Sequence, residues 1–283
     1  MPANRKCAIV NADDFGFSLM ISEGILRAHR EGIVTSTTVA ANMPAAGAAV
    51  GRLREAPALG VGVHLNCTQG PPLSSQGREA LAGVDGMMSH TATAIIAKAM
   101  RHPRLLDAIE AEFDAQIRWV LDHHITPTHL DSHRHSHAYC PIFRRVARLA
   151  RRYHIRFVRR HRERLLSGPW PEAPAKQRRT ARMLNALGAV NRLLAPRLYA
   201  TRGTWGIAHT GLIDRAWLLQ AASSLPAGVT EIMTHPGEVG DMDASVTRLL
   251  ESRQIELTAL TDASVKEAFE HNGVRLIHYG QIC

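Results

Sequence analysis

Several common features are scarce or missing in this 283-residue chain. Cysteine is scarce: Cys7, Cys67, Cys140 and Cys283 are scattered, with no Cys-x-x-Cys pair. That pattern argues against a zinc finger and a disulfide scaffold, so a reducing compartment is expected. No segment reaches the roughly 18 uninterrupted apolar residues of a membrane span. The opening Met1-Pro-Ala-Asn-Arg-Lys6 runs straight into a strand pattern, which predicts no signal peptide and a cytoplasmic protein. Neither a Gly-x-Gly-x-x-Gly turn nor a Walker loop occurs, so a nucleotide cofactor has no support. Acidic residues are nearly absent from 144–202, where 17 Lys and Arg face only Glu163 and Glu172. The net charge of +9 belongs to this segment, and the remainder is net acidic. Such a segment reads as a surface for phosphates or anionic lipid.

With 45% hydrophobic and 21% charged residues, the chain suits a single α/β domain over 1–283. Strands are predicted at 7–12, 35–41, 60–66, 126–131, 155–158, 203–208, 229–234 and 274–278. Helices are predicted after the first strand and near 44–55, 103–124, 138–153 and 214–224, with one or two over 243–271. Ser18 or Ser22 caps the first, which shows Ile21, Ile25 and Leu26 on one face. Residues 67–102 and the basic stretch 159–202 are insertions. Alternating strands and helices imply parallel pairing. The expected fold is a distorted (β/α) TIM-like barrel of about seven parallel strands, with a basic helical insertion. Its polar motifs fall at C-terminal strand ends, where barrel active sites are built.

Asn11-Ala-Asp-Asp-Phe-Gly16 follows the apolar run Ala8-Ile-Val10. Neighbouring strand side chains point to opposite faces, but a strand end can let Asp13 and Asp14 reach one pocket. Asp-Asp before Gly is also ordinary turn chemistry. His64 closes Gly60-Val-Gly-Val-His64, and His235 lies in Thr234-His-Pro-Gly-Glu238. A lone His at a strand end is more often a satisfied polar residue than a ligand. His129, Asp131, His133, His135 and His137 alternate, and at period two they share one face of an extended segment. So many imidazoles on one face point to metal binding or catalysis. One carboxylate and two imidazoles on a divalent ion, with positions open for water and substrate, is the economical site. A second carboxylate then serves as base and a remote His as acid. This is the layout of metal-assisted hydrolysis.

Asn11-Ala-Asp-Asp-Phe-Gly16, Gly32-Ile-Val-Thr-Ser-Thr-Thr38, Gly62-Val-His-Leu65 and Thr128-His-Leu-Asp-Ser-His-Arg-His-Ser-His137 resemble the YdjC-like carbohydrate deacetylases, which include chitooligosaccharide deacetylase. The resemblance spans residue 7 to about 158 and resumes over 229–260. It implies a distorted barrel that removes N-acetyl groups from amino sugars with a divalent metal. It implies Asp14, His64 and His133 as metal ligands, Asp13 as base and His235 as acid, with Arg253 orienting site carboxylates. His129, Asp131, His135, His137 and Trp205 are candidate substrate contacts, and Trp170, Trp205 and Trp217 could stack on rings, with core packing the default for each. Zinc is favoured; iron, manganese or cobalt would also suit, and magnesium would if several waters stay bound.

The basic insertion, with Thr201-Arg-Gly-Thr-Trp-Gly-Ile-Ala-His209, is similar to a branch associated with hopanoid biosynthesis. That implies an N-acetylglucosaminyl hopanoid lipid as substrate, deacetylated to the glucosaminyl form. Within 176–199, Met183, Leu184, Leu187, Val190 and Leu194 recur at helical steps, with Arg178, Arg182 and Arg192 mainly opposite. This basic amphipathic pattern is expected to contact an anionic membrane surface. The alternatives are a stripe packed on the barrel and a lid over the lipid. Soluble chito-oligosaccharides are the alternative substrate. A metal-dependent phosphoesterase and a nucleic-acid-binding protein are further readings. The segment lacks a nucleic-acid-binding motif, so no nucleic-acid partner is expected.

Overall fold

A computed structural model describes residues 5–168, 172–242 and 247–282. Trp170, Cys283, the first four residues and the start of the predicted 243–271 helix lie outside the described residues.

The fold is organised by β1 (Lys6–Phe15), buried along both faces after its first residue. Such a strand belongs in the middle of a parallel sheet. It feeds α1 (Leu19–Glu31), capped by Ser18, whose Oγ accepts from the Ile21 N–H at 3.0 Å. Ser22 instead accepts from the Gly16 N–H at 2.9 Å and fixes the turn after β1. Then come β2 (Ser36–Val39), α2 (Ala46–Val50) and β3 (Gly60–Leu65). The helix predicted over 44–55 finishes instead as a 3-10 turn, Gly51–Glu55. No side chain caps α2, and its Gly47 and Gly51 are weak helix formers.

The 67–102 insertion forms a two-stranded antiparallel ribbon, β4 (Gln69–Gly70) with β5 (Met88–Ser89), and two helices, α3 (Ser75–Ala80) and α4 (Ala92–Arg101). The barrel resumes with α5 (Leu105–Asp122), β6 (His129–Ser132), α6 (Cys140–Arg152) and β7 (Phe157–Val158). The basic insertion contributes α7 (Ala175–Leu194). Then follow β8 (Thr204–Trp205), α8 (Arg215–Ser224), β9 (Gly228–Thr234), α9 (Glu251–Leu260), α10 (Ala263–His271) and β10 (Val274–Leu276).

The large sheet runs β7-β6-β3-β2-β1-β9-β8, and every pair is parallel. An eighth strand, β10, pairs with the first residues of β1. The strands curl with their C-terminal ends on one rim, a distorted (β/α) barrel as predicted. No ladder joins the edge strands β7 and β8. Side chains bridge that seam: Thr204 Oγ1 lies 2.9 Å from the Arg160 carbonyl, and Arg160 Nη1 donates to the Thr201 carbonyl at 3.1 Å. Helix faces such as Ile25 and Leu26, Phe113, Phe143, Trp217 and Phe269 pack outside the sheet in the apolar core.

The single apolar stripe predicted on the 176–199 helix is divided. Ala181, Leu184, Gly188 and Asn191 are buried against the barrel, whereas Met183, Val190 and Leu194 are exposed. Gly188 is required at its position, because a Cβ there would lie 2.1 Å from the His161 carbonyl oxygen. Asn191 Nδ2 donates to the Ala138 carbonyl at 2.8 Å. Glu163 ties the insertion to the rim, accepting from the Gly206 and Ala208 N–H groups, both at 2.8 Å. Among the described residues, no helix is long and apolar enough to cross a membrane.

Burial pushes the Glu163 carboxyl up to about 7 from an ordinary 4.5, although the backbone N–H groups of Ala208 and Gly206 oppose it. A carboxyl raised on folding favours the fold fully below pH 4.5, and that contribution is lost as pH rises through 7. Relative to wild type, Glu163→Gln should therefore lose stability at pH 5 and recover it by pH 8, while lowered imidazoles such as His235 set an opposing slope in both proteins. Glu256, also raised to about 7 by burial, would leave a residual slope. An unchanged slope in thermal melts of Glu163→Gln would contradict this account.

Candidate active site

Parallel pairing gathers the ends of β1, β3, β6 and β9 on one rim, and the local backbone of β1 does the rest. Its register with β2 shifts between Ala12 and Phe15, and Asp14 adopts φ 73°. This bulge breaks the alternation of side chains. Asp13 and Asp14 consequently both enter the barrel mouth, each almost fully buried. Positive φ in a non-glycine residue is a strained state that persists only where its surroundings hold it. Arg253, on α9, supplies that hold by donating from Nη2 to Asp14 Oδ2 at 2.5 Å.

The other Asp14 oxygen, Oδ1, is buried and has no hydrogen-bond partner. It lies 3.4 Å from His64 Nε2 and 3.4 Å from His133 Nδ1. An orphaned buried carboxylate oxygen is costly. One carboxylate and two imidazoles within 4.8 Å of one another fit a divalent ion. His64 Nδ1 is engaged by Asp131 Oδ1 at 2.7 Å, which leaves Nε2 as the nitrogen that could ligate an ion. Thr38 Oγ1 donates to Asp131 Oδ2 at 3.1 Å and steadies that carboxylate. Burial pushes His64 down, but the carboxylates of Asp131, Asp13 and Asp14 together raise the imidazole to about 9.

At the centre lies Arg159, fully buried just after β7. Its Nη1 donates to Asp13 Oδ2 at 2.7 Å and its Nη2 to Asp13 Oδ1 at 2.6 Å. Its Nη2 also lies 2.9 Å from Asp131 Oδ2, and its Nε donates to Glu231 Oε1 at 2.9 Å. Glu231 accepts in turn from Tyr279 Oη at 2.8 Å and Thr204 Oγ1 at 2.6 Å. Burial raises the Asp13 carboxyl, yet the Arg159 guanidinium beside it holds it well below the usual carboxylate range. Asp13, His64 and Asp131 also lie close enough to share an ion. Arg159 already supplies the cation to both of those acids.

His235 follows β9 on the opposite side of the mouth. Glu256 accepts its backbone N–H at 2.6 Å, and Arg253 Nη1 lies 3.5 Å from its carbonyl. Its ring Nδ1 is buried without a partner. Burial pushes the imidazole down to about 4, against the pull of Asp13 and Asp14, so it is neutral near pH 7.

The extended, period-two segment predicted from His129 to His137 is corrected by the structure. β6 ends at Ser132, and the chain turns through Arg134 and His135, with φ 52° and 56°. The five side chains therefore separate. His129 is fully buried inside the barrel and stacks on Tyr279 with ring centroids 4.0 Å apart. Asp131 supports His64 and Arg159. His137 is fully buried, with Nδ1 2.5 Å from Ser132 Oγ. His135 is half-buried, and its Nδ1 lies 3.2 Å from His161 Nε2. Trp205 and Trp217 are buried in the apolar core, away from the mouth. Of the candidate substrate contacts, His135 alone retains appreciable exposure.

Sequence reasoning missed Arg159, Glu231 and Glu256. Arg159 was read as the first residue of a solvated basic stretch. Its position directly after a short apolar strand was the available signal, the same one that marks His64 and His235. Glu231 is a lone acid within the strand Val229–Thr234, which is equally conspicuous.

A family model described as YdjC-like protein matches residues 7–271. A carbohydrate deacetylase of Geobacillus stearothermophilus is 34% identical over 275 residues, covering 97% of each chain. A chitooligosaccharide deacetylase of Salmonella schwarzengrund is 34% identical and spans 96% of this chain and 97% of its own. A solved structure from Enterococcus faecalis V583, named for cellobiose-phosphate cleavage, superposes with a TM-score of 0.74 at 25% identity over 98% of both chains.

Removing one partner from a buried ion-pair network leaves uncompensated charge and costs about 3–5 kcal/mol. Arg159→Met strands three carboxylates at once, so a loss at or above the top of that range is expected in urea denaturation. A loss under about 1 kcal/mol, the value of an exposed ion pair, would contradict the central role of Arg159.

Proposed function

The chain belongs to the YdjC-like proteins, and on that basis we propose that it is a metal-dependent N-deacetylase whose substrate is an N-acetylglucosaminyl hopanoid lipid. The observation that carries the chemistry is the buried, unpartnered Asp14 Oδ1 between two imidazole nitrogens, with Asp13 and His235 on either side. Asp14, His64 and His133 would hold a divalent ion, zinc being favoured by two nitrogen ligands and one oxygen. When bound, such an ion polarises the acetamide carbonyl and lowers the pKa of water towards roughly 7.

The chain's own groups carry the proton. Asp13 accepts it from the attacking water. Its Oδ1 already takes bonds from Arg159 and Asn11, so Oδ2 has acceptor capacity to spare. The clamp by Arg159 costs Asp13 basicity but fixes its orientation. His235 rests neutral, so the proton that Asp13 takes from water must pass from Asp13 to His235 before His235 gives it to the departing nitrogen. The C–N bond breaks, and the products are acetate and a free amino sugar. Arg253 keeps Asp14 and the His235 backbone in register throughout.

The lipid-linked substrate is supported by the resemblance of Thr201–His209 to the hopanoid branch and by the basic insertion beside the mouth. Glu163 and Asn185 fasten that segment and α7 together. Soluble chito-oligosaccharides remain the competing substrate, in line with the name of the Salmonella relative.

Asp14→Ala should abolish retention of metal and activity together, measured by elemental analysis and acetate release. Asp13→Asn should retain the metal while its turnover falls by about 10²–10⁴. Wild-type turnover in Asp13→Asn would remove Asp13 from the role of base. Mass spectrometry of an N-acetylglucosaminyl hopanoid should show a loss of about 42 Da, one acetyl group exchanged for hydrogen in this hydrolysis. Loss from diacetylchitobiose alone would move the substrate to soluble sugars. Phosphate release from a phosphoester, without acetate release, would replace the deacetylase reading.

A further inference from the structure

We propose that the outward face of α7, with the neighbouring arginines of α6, is a docking surface for an anionic lipid bilayer. Over Met183–Leu194 the helix carries a single charge, Arg192, although half of this stretch faces outward. Leu193 is 83% exposed, Met183 50%, Val190 47% and Leu194 42%. These four lie together on the side away from Ala181, Leu184, Gly188 and Asn191, which hold the helix to the barrel. An ordinary surface helix has one apolar stripe and a polar back. Here the back of the C-terminal half is apolar too.

Arginines predominate around this patch, although Arg148 is paired with Glu110 and Arg178 with Glu172. A groove of about 230 Å³ joins Leu194 and Ala195 of the insertion to Arg144, Arg148 and Arg151 of α6. Arg179, Arg182 and Arg192 line the helix itself. Among the described residues, Arg144, Arg151, Arg179, Arg182 and Arg192 form no ion pair with a carboxylate. Exposed leucines ringed by unpaired arginines match an interfacial helix, whose apolar residues enter the acyl boundary while cations meet anionic headgroups. A second copy of the chain would bring two arginine rings together and repel. Nucleic acid would satisfy the arginines and leave the leucines in water.

Docking would also bring the site to the lipid surface. α7 is fixed to Ala138 and lies against His161, so it forms the wall beside His135 and the barrel mouth. The surface is read from exposure and charge alone and does not depend on the deacetylase reading.

The test is co-sedimentation of the full chain with vesicles at near-physiological salt. Wild type should sediment with equal parts phosphatidylglycerol and phosphatidylcholine, and stay in the supernatant with phosphatidylcholine alone. Val190→Glu with Leu193→Glu should reduce the bound fraction at least about tenfold. Circular dichroism, melting temperature and acetate release from a soluble acetylated amino sugar should not change. Arg144→Glu with Arg151→Glu should weaken binding similarly and flatten its salt dependence. Equal binding to both vesicle types, no binding by wild type, or full binding by the leucine-valine variant would each overturn the proposal. So would a dimer in size-exclusion chromatography that Leu193→Glu dissociates. Failure of the chemistry would show instead as absent acetate release with vesicle binding intact.

Discussion

The guanidinium of Arg159 bonds to carboxylates from three strands, Asp13 on β1, Asp131 on β6 and Glu231 on β9. In the order of the sheet, β7 and β9 are five steps apart. In a flat sheet, at about 4.8 Å per step, that separation would be roughly 24 Å. One side chain cannot cross it. These bonds exist only because the sheet curls, and the curl in turn packs charges that need one another. Burying three acids and a cation is costly unless each is paired. The polar interior of this barrel is therefore tied to its shape.

The same constraint distinguishes the two neighbouring acids. Asp13 is clamped by Arg159 through both oxygens, whereas Asp14 is held by Arg253 through one. Asp14 is left with a free buried oxygen facing His64 and His133. Asp131 transmits the order of the interior to the ligand set, since one of its oxygens meets Arg159 and the other fixes His64. Glu256 and Arg253 do the corresponding work for His235 from α9. Asp13, Asp14, His64 and Asp131 are each bonded to a group from another element, which holds them in place.

The basic insertion is structural before it is anything else. Arg160 and Thr204 bridge the seam that no ladder closes, and Glu163 gathers the backbone N–H groups of the rim. Its first arginines are therefore interior or seam residues. The arginines that remain outside begin on α6 and continue along α7. This splits a segment of uniform composition into two parts with different physical roles.

Local chemistry in the sequence determined a good deal of this protein. Alternation of strands and helices indicated a parallel barrel, Ser18 marked the start of α1, and polar residues at strand ends marked the active rim. Asp13, Asp14, His64, His133 and His235 could all be picked out this way, because a strand C-terminus in a parallel barrel leads to the mouth. Periodicity failed where backbone dihedrals changed, at Asp14 and again at Arg134 and His135, since a pattern in sequence carries no φ value. It failed on α7 because both sides of the helix are apolar, and only packing decides which is buried. The pairing of Arg159 with Asp13, Asp131 and Glu231 lies further from sequence still. The three acids lie up to 146 positions from Arg159, and their contact depends on the closure of the whole sheet. The sequence by itself determined that the strand-end groups Asp13, Asp14, His64 and His235 gather on one rim. Tertiary structure decided which of them are clamped, which are open to a ligand and which are sealed inside, because burial and distance are properties of the curled sheet as a whole.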